Sequence, residues 1–243
     1  MLQVLALVAM EPPASLADER DLREAKVRAL QAVRSPGKDV MARRTRRARY
    51  AAGTLAPSAT DAARAVPAYT AEAGVDPTRK TETFAEVTVE VDTPRWQGTR
   101  FVLRGGKALA ERRKGILLRF RPPGGGVPTF IEGDPSALWI GIDEPNDITL
   151  RLIGASRAGE LSGVPVILSA PPPPAALPPY GNVLSNLLGG GSSLSVRGDE
   201  AEAAWRIVTP VLQAWAADMV PMEEYPAGAA GPPPRVRVSG RAA

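Results

Sequence analysis

Residues 83–92 alternate in character. Thr83, Ala85, Val87, Val89 and Val91 fall on one face, Glu86, Thr88, Glu90 and Asp92 on the other, which is the period of a half-buried strand. Upstream the period is helical. Leu22, Ala25, Ala29 and Val33 recur at i, i+3, i+7 and i+11, predicting an amphipathic helix from about Leu16 to Val33 that Ser35-Pro36-Gly37 stops. The apolar opening Met1–Met10 predicts a core helix. It lacks the basic region of a signal peptide and is too short to span a bilayer, so no membrane contact and a cytoplasmic location are expected. A short strand near Arg47–Tyr50 and an irregular loop up to residue 80 complete the first third.

After a turn at Pro94–Gly98, Thr99–Arg104 reads as a strand with Phe101 and Leu103 inward. Gly105-Gly106 should break it, and Lys107–Arg113 can form a short helix. Further strands are marked by Ile116, Leu118 and Phe120, by Leu138, Ile140 and Ile142, by Ile148, Leu150 and Leu152, and by Pro165–Ser169. Glu144-Pro145-Asn146 joins the second and third of these as a hairpin. Strands joined by turns predict an antiparallel sheet. Six prolines within residues 170–179 make an extended connector. Beyond it Trp205, Val208, Leu212 and Trp215 share a helix face, with Thr209 as N-cap and Pro210 at a first helical position splitting the region into two helices. Residues 235–243 read as a loose tail. The fold class expected is α+β: an antiparallel-rich sheet with helices covering one face, as one domain over residues 1–243.

Composition removes much chemistry. The 243 residues contain no cysteine and no histidine, which excludes disulfides, thiolate sites and the commonest catalytic base and metal ligand, so no metal is expected. The net charge of +4 rests on 25 arginines and five lysines; with abundant Ala, Gly and Pro, this reads as the coding bias of a GC-rich genome. Arg43, Arg44, Arg46, Arg47 and Arg49 form the densest basic run, but only Tyr50 is interleaved. A solvated strand face is favoured there over a nucleic-acid surface, which would want several aromatics.

The best candidate for chemistry is Arg104-Gly105-Gly106-Lys107 with Glu111-Arg112-Arg113-Lys114. A glycine pair at a strand end lets backbone approach a ligand, and Lys107 at a helix N-terminus would suit a phosphoryl group. Lys107 and Arg112 converge on one anion only if the backbone bends between them. A solvated basic turn explains the same spacing. The loop is not a Walker A motif, because Phe101 and Ala108 occupy positions that need Gly and Ser/Thr. Gly124–Gly126 and Gly189–Ser193 read as flexible turns. Glu86, Glu90 and Asp92 read as solvent-facing or salt-bridged, and Trp96, Trp205 and Trp215 as core.

Several stretches resemble the C-terminal domain of the glucose-6-phosphate dehydrogenase family. They are Leu2-Gln3 through Val8-Ala9-Met10-Glu11-Pro12-Pro13, Leu22–Val27, Thr81-Glu82-Thr83-Phe84, Arg95-Trp96, and Phe101–Leu109. Arg197, Asp199-Glu200 and Trp205 follow, then Tyr225, Gly228 and Gly231-Pro232. They occur in the family's order over nearly the whole chain. Gly105 departs from the family's usual Thr or Cys, and Ala230 from its aromatic or Arg.

The resemblance implies an enzyme that oxidises glucose 6-phosphate to the 6-phosphoglucono-lactone while NADP accepts a hydride. It places Lys107, Arg112 and Asp143 at the substrate, and Arg104 and Arg113 at a second, structural NADP site. The main NADP site belongs to a Rossmann domain not found in this sequence. The family's catalytic stretch is likewise missing. The chain is therefore expected to act as a substrate-binding and oligomerisation domain, inactive alone, as a homo-oligomer or with a complementary nucleotide-binding chain. A non-catalytic pseudoenzyme partner of a full-length dehydrogenase, and less so an Arg-rich nucleic-acid binder, are the alternatives.

Overall fold

The alternating segment forms the strand around which the larger sheet is organised. In the computed structural model of the chain, the described residues are all except 16–17, 58–60, 122–135, 143–146, 154–164, 173–175 and 236–243. In chain order the helices and strands are α1 (Leu2–Ala9), α2 (Glu19–Gln31), β1 (Val33–Arg34), α3 (Met41–Arg44), β2 (Thr45–Ala51), β3 (Gly53–Leu55), β4 (Arg64–Val66), β5 (Phe84–Val91) and β6 (Arg100–Gly106). They continue as β7 (Gly115–Arg119), β8 (Ala137–Gly141), β9 (Ile148–Ile153), β10 (Pro165–Ala170), α4 (Pro179–Leu188), α5 (Gly198–Ala216) and β11 (Met222–Pro226). The architecture is α+β with antiparallel-rich sheets, as expected. It divides into two units, Met1–Glu111 with Pro179–Ala243, and Arg112–Pro178.

In the first unit the sheet order is β1-β5-β2-β11, with β6 on the other edge of β5. β5 pairs antiparallel with β6 from Phe84↔Gly106 to Glu90↔Arg100, while β2 and then β1 share its opposite edge. Val89 and Val91 face a core made with Leu5, Ala6, Ala9, Ala29, Leu30 and Ile207. Phe84, on the other face, packs with Ala48, Tyr50, Val66, Tyr225 and Ala227. β5 is therefore covered on both faces at its start, where the alternation predicted a strand buried on one. β11 runs parallel to β2 in a stretch that carried no strand signal, and β3 and β4 form a small hairpin inside the expected loop.

Helix boundaries differ from the periodic reading for local reasons. α2 begins at Glu19 because Asp18 Oδ1 accepts the Arg20 N–H at 2.8 Å, an N-cap. Val33 leaves the helix to pair with Val91. The region around Pro210 is one helix, α5, not two. Pro210 deletes one backbone bond on the exposed side of the helix, where water can satisfy the freed carbonyl. The buried stripe is Ala203, Ile207, Val211, Ala214 and Trp215, so the predicted face was mis-phased. Trp205, read as core, is 63% exposed. Trp215 is buried, its N–H donating to Thr45 Oγ1 at 3.1 Å, and half-buried Trp96 donates to the Ala9 carbonyl at 2.9 Å.

Two contacts bind α5 to α2. The Arg206 guanidinium donates to the Leu30 and Gln31 carbonyls at 2.9 and 3.1 Å, supplying partners to carbonyls that a helix C-terminus leaves open. Lys26 Nζ lies 2.9 Å from Glu200 Oε2, with the two side chains 7% and 0% exposed. A buried ion pair was not foreseen.

The second unit is a four-stranded antiparallel meander ordered β10-β9-β8-β7. Ile140↔Ile148 pairing and a 2.8 Å bond from the Gly141 N–H to the Asp147 carbonyl close the β8–β9 hairpin; its expected turn at 144–146 lies outside the described residues, as does Gly124–Gly126. Every residue of β10 is exposed. Among the described residues, no helix is long and apolar enough to cross a membrane.

Candidate functional site

The corner that ends β6 has a geometry the sequence did not suggest. β6 does not break at its glycines: Gly105 pairs with Ala85 and Gly106 with Phe84. A Cβ on residue 106 would meet the Phe84 ring at 2.9 Å and Leu109 at 3.0 Å. The space that glycine leaves is thus filled by core side chains, not by an approaching ligand. Nor does Lys107 open a helix; residues 107–114 are non-helical, and Ala108 adopts a left-handed φ of 48°. The Lys107 N–H donates to the Thr83 carbonyl at 2.9 Å, and its carbonyl accepts from the Tyr225 hydroxyl at 2.7 Å. The Ala108 carbonyl accepts from the Gly228 N–H at 2.8 Å, and the Ala110 N–H donates to the Ala229 carbonyl at 2.9 Å.

These bonds consume the polar groups that an anion-binding helix end would have offered. What remains for a ligand is the side chain. Lys107 is exposed, and its ammonium has no hydrogen-bond or ion-pair partner among the described residues. Tyr225 is buried at 1% exposure, and burial first of all pushes its phenol up from the ordinary value, so it stays a donor. Its oxygen also lies 3.1 Å from Thr83 Oγ1, which in turn accepts the Tyr50 N–H at 3.0 Å. An exposed lysine head on a main chain fixed at both peptide groups is chemically suited to holding a phosphoryl group by charge-assisted bonds.

The other expected residues are placed as follows. Arg104 belongs to β6 and donates to Glu86 Oε2 at 2.7 Å. Arg112 is exposed at the start of the second unit. Arg113 lies over the Trp139 ring, 4.0 Å from its centroid, a cation–π contact. The Trp139 N–H donates to Asp147 Oδ1 at 3.1 Å; Asp147 is held below the usual carboxylate range, first by the Thr149 hydroxyl and then by Trp139 and the charge of Arg113. Asp143 lies outside the described residues.

The model of the family described as "Glucose-6-phosphate dehydrogenase, C-terminal domain" matches residues 1–241. The chain belongs to that family. Glucose-6-phosphate 1-dehydrogenase of Gluconobacter oxydans is 34% identical over 242 residues, covering 96% of this chain and 46% of the relative. That of Treponema pallidum is 32% identical, covering 96% and 45%. A crystal structure of the Mycobacterium avium enzyme superposes with a TM-score of 0.72 at 29% identity, over 96% of this chain and 45% of that one. A glucose-6-phosphate dehydrogenase in complex with glucose-6-phosphate gives 0.73 at 27%, over 95% and 46%. The chain spans about half the length of the relatives it matches.

Two features of this family member escaped the sequence reading. Thr83 and Tyr225 were recognisable as family motif residues, yet nothing in their spacing, 142 positions apart, showed that both grip the Lys107 peptide groups. The basic run was also misread as a solvated face. Arg47 is 4% exposed, donating to the Val220 carbonyl and to Asp218, both at 2.8 Å. Arg46 pairs with Glu223 and Arg44 with Glu90. Three of the five arginines are thus matched to carboxylates, against the free positive row that nucleic-acid binding requires. Glu86, Glu90 and Asp92 are salt-bridged, to Arg104, Arg44 and Arg34.

A cleft at the start of α2, lined by Ser15, Asp18, Glu19, Arg20, Arg23 and Ser192, contains none of the expected site residues. Glu19 ties the segment after α4 to α2: its carboxylate accepts the Ser192 N–H at 2.7 Å, which, ahead of the Asn186 and Ser192 side chains, lowers its pKa to about 2. With the folded value below the ordinary one near 4.5, the tie is complete above pH 4.5 and is lost as pH falls through about 2. Amide exchange at Ser192 should show the same protection at pH 6 and pH 4 once corrected for intrinsic rates. Loss of protection already at pH 4 would contradict this.

Proposed function

We propose that the chain is the substrate-binding and oligomerisation half of an NADP-dependent glucose-6-phosphate dehydrogenase, acting in the cytoplasm. In this reading Lys107 contacts the 6-phosphate of the sugar. The observation that carries it is the Lys107 ammonium, unpartnered among the described residues on a corner locked by Thr83 and Tyr225. A family neighbour bound to glucose-6-phosphate supports the ligand class.

Binding here supplies orientation only. Bound NADP would supply the hydride acceptor for C1 of the sugar, and the histidine-free chain offers no imidazole base for the accompanying proton. The two arginines expected at a second nucleotide site already have partners: a phosphate at Arg104 must displace Glu86, and Arg113 rests on Trp139. No nucleotide step is assigned to them. The purified chain with glucose 6-phosphate and NADP should form no NADPH, and any formation would refute its inactivity alone.

One to two charge-assisted hydrogen bonds of roughly 1.5–3 kcal/mol each total at most about 6 kcal/mol, and ordering costs of about 2 kcal/mol or more leave near-millimolar affinity at best. A nuclear magnetic resonance titration of the full chain with glucose 6-phosphate should move the Lys107 and Gly106 amides. Lys107→Ala should weaken binding by about tenfold or more, with folding unchanged because the side chain is exposed. Equal affinity in the variant would end the assignment.

A further inference from the structure

α4 is inside out. Its apolar residues Tyr180, Val183, Leu184, Leu187 and Leu188 follow i, i+3, i+4, i+7 and i+8, the stripe that normally faces a core. Here Tyr180 is 85% exposed, Leu184 59%, Leu187 49% and Leu188 88%. The polar side instead holds the helix to the unit, where Asn186 Nδ2 donates to Ser193 Oγ at 3.3 Å and Glu19 Oε1 at 3.4 Å. Asn186 Oδ1 is buried there without a hydrogen-bond partner among the described residues. The segment that follows exposes Leu194 and Val196 as well.

The sequence marks the same stretch in another way. From Leu161 to Val196 there is no Asp, Glu, Lys or Arg, in a chain that is 23% charged overall. Depletion of charge beneath exposed large apolar side chains characterises the buried centre of a permanent interface; a transient contact would keep a more polar face.

We propose that the outer face of α4, continued by Leu194 and Val196, is the docking surface for the half of the dehydrogenase that this chain does not match. The relatives extend over about twice this chain's length, and this chain matches the C-terminal domain of the family. The unmatched part of the relatives is therefore of comparable size, sufficient to cover a stripe of this length. The inference rests on the reading that the chain is one half of such an enzyme. It adds which surface joins the halves: an apolar face, with no ion pairs contributed from this stretch.

The experiment co-expresses the full chain with the part of the Gluconobacter oxydans enzyme outside the matched region, and measures complex mass by light scattering after size exclusion. A one-to-one complex is expected, insensitive to 0.5 M salt. Leu184→Ser/Leu188→Ser removes two exposed leucines without touching the core. It should weaken the complex by at least tenfold while leaving the chain's own melting temperature unchanged. No complex, or one that the double variant forms equally well, overturns the proposal. So does self-association of the chain that the double variant abolishes, which would make a second copy the occupant. Glucose 6-phosphate binding by the chain alone is measured beside it. Retained sugar-phosphate binding without a complex sinks the docking surface only, and a complex without sugar-phosphate binding sinks the substrate reading only.

Discussion

Replacing Lys26 with methionine is expected to destabilise the chain by about 3–5 kcal/mol, the largest effect of any single substitution considered. The Glu200 side chain is fully buried, and Lys26 Nζ at 2.9 Å is its ion partner. Neither carboxylate oxygen finds a well-aligned hydrogen bond among the described residues; the pair is held by charge proximity more than by directed bonding. Removing the ammonium leaves an uncompensated charge between α2 and α5, and the desolvation cost of that charge falls wholly on the folded state. The double variant Lys26→Met/Glu200→Leu should recover most of the loss, because both buried charges then disappear together. Urea unfolding of the two variants and the parent decides the matter. A single variant within 1 kcal/mol of the parent, or a double variant no better than the single, would show that the pair carries little of the packing between these helices.

Gly228→Ala should cost about 3 kcal/mol or more, by a different route. Gly228 sits at φ +88°, and a Cβ there would lie 2.0 Å from the Thr54 carbonyl oxygen. Backbone, not a yielding side chain, is the obstacle, so β3 or the segment after β11 must move. That movement pulls on the Gly228 N–H bond to the Ala108 carbonyl, one of the ties that fix the Lys107 corner. Gly74→Ala separates strain from clash: its φ is +83° but a Cβ would meet nothing within 4 Å, so only the left-handed penalty of about 1 kcal/mol applies. Thermal unfolding should rank the two far apart. Gly228→Ala should also broaden or shift the Lys107 amide resonance, whereas Gly74→Ala leaves it in place. Equal losses would mean that the close approach at Thr54 relaxes freely.

The legibility of the chain followed the range of the forces involved. β5 and the strands of the second unit could be read because alternation is local: each residue's face is set by its neighbours two positions away. The phase of α5 could not. Trp205 and Leu212 look like core by size, yet Ala203 and Ile207 are the side chains that pack with Ala29 and Leu30 of α2, and Val211 and Ala214 those that pack with Met41. Which stripe is buried depends on the partner surface. The same holds for Arg47, whose place in a run of arginines suggested solvent, but whose guanidinium reaches Asp218 across 171 residues.

The site divides in the same way. Residue order and type were enough to single out Lys107, to exclude imidazole and thiolate chemistry, and to place the chain beside the C-terminal part of glucose-6-phosphate dehydrogenases. A helix starting at Lys107 would have needed the Lys107 and Ala108 carbonyls for its own N–H groups, but Tyr225 and Gly228 bond to both, and Ala108 takes a left-handed φ of 48°. Likewise the amphipathic period of α4 was written in the chain, but which side of it meets the unit was fixed by Asn186 and Glu19, brought together from 167 positions apart. Local pattern determines what each segment can become. Long-range hydrogen bonds and shape, which no window of sequence contains, determine which face is spent on folding and which is left to bind.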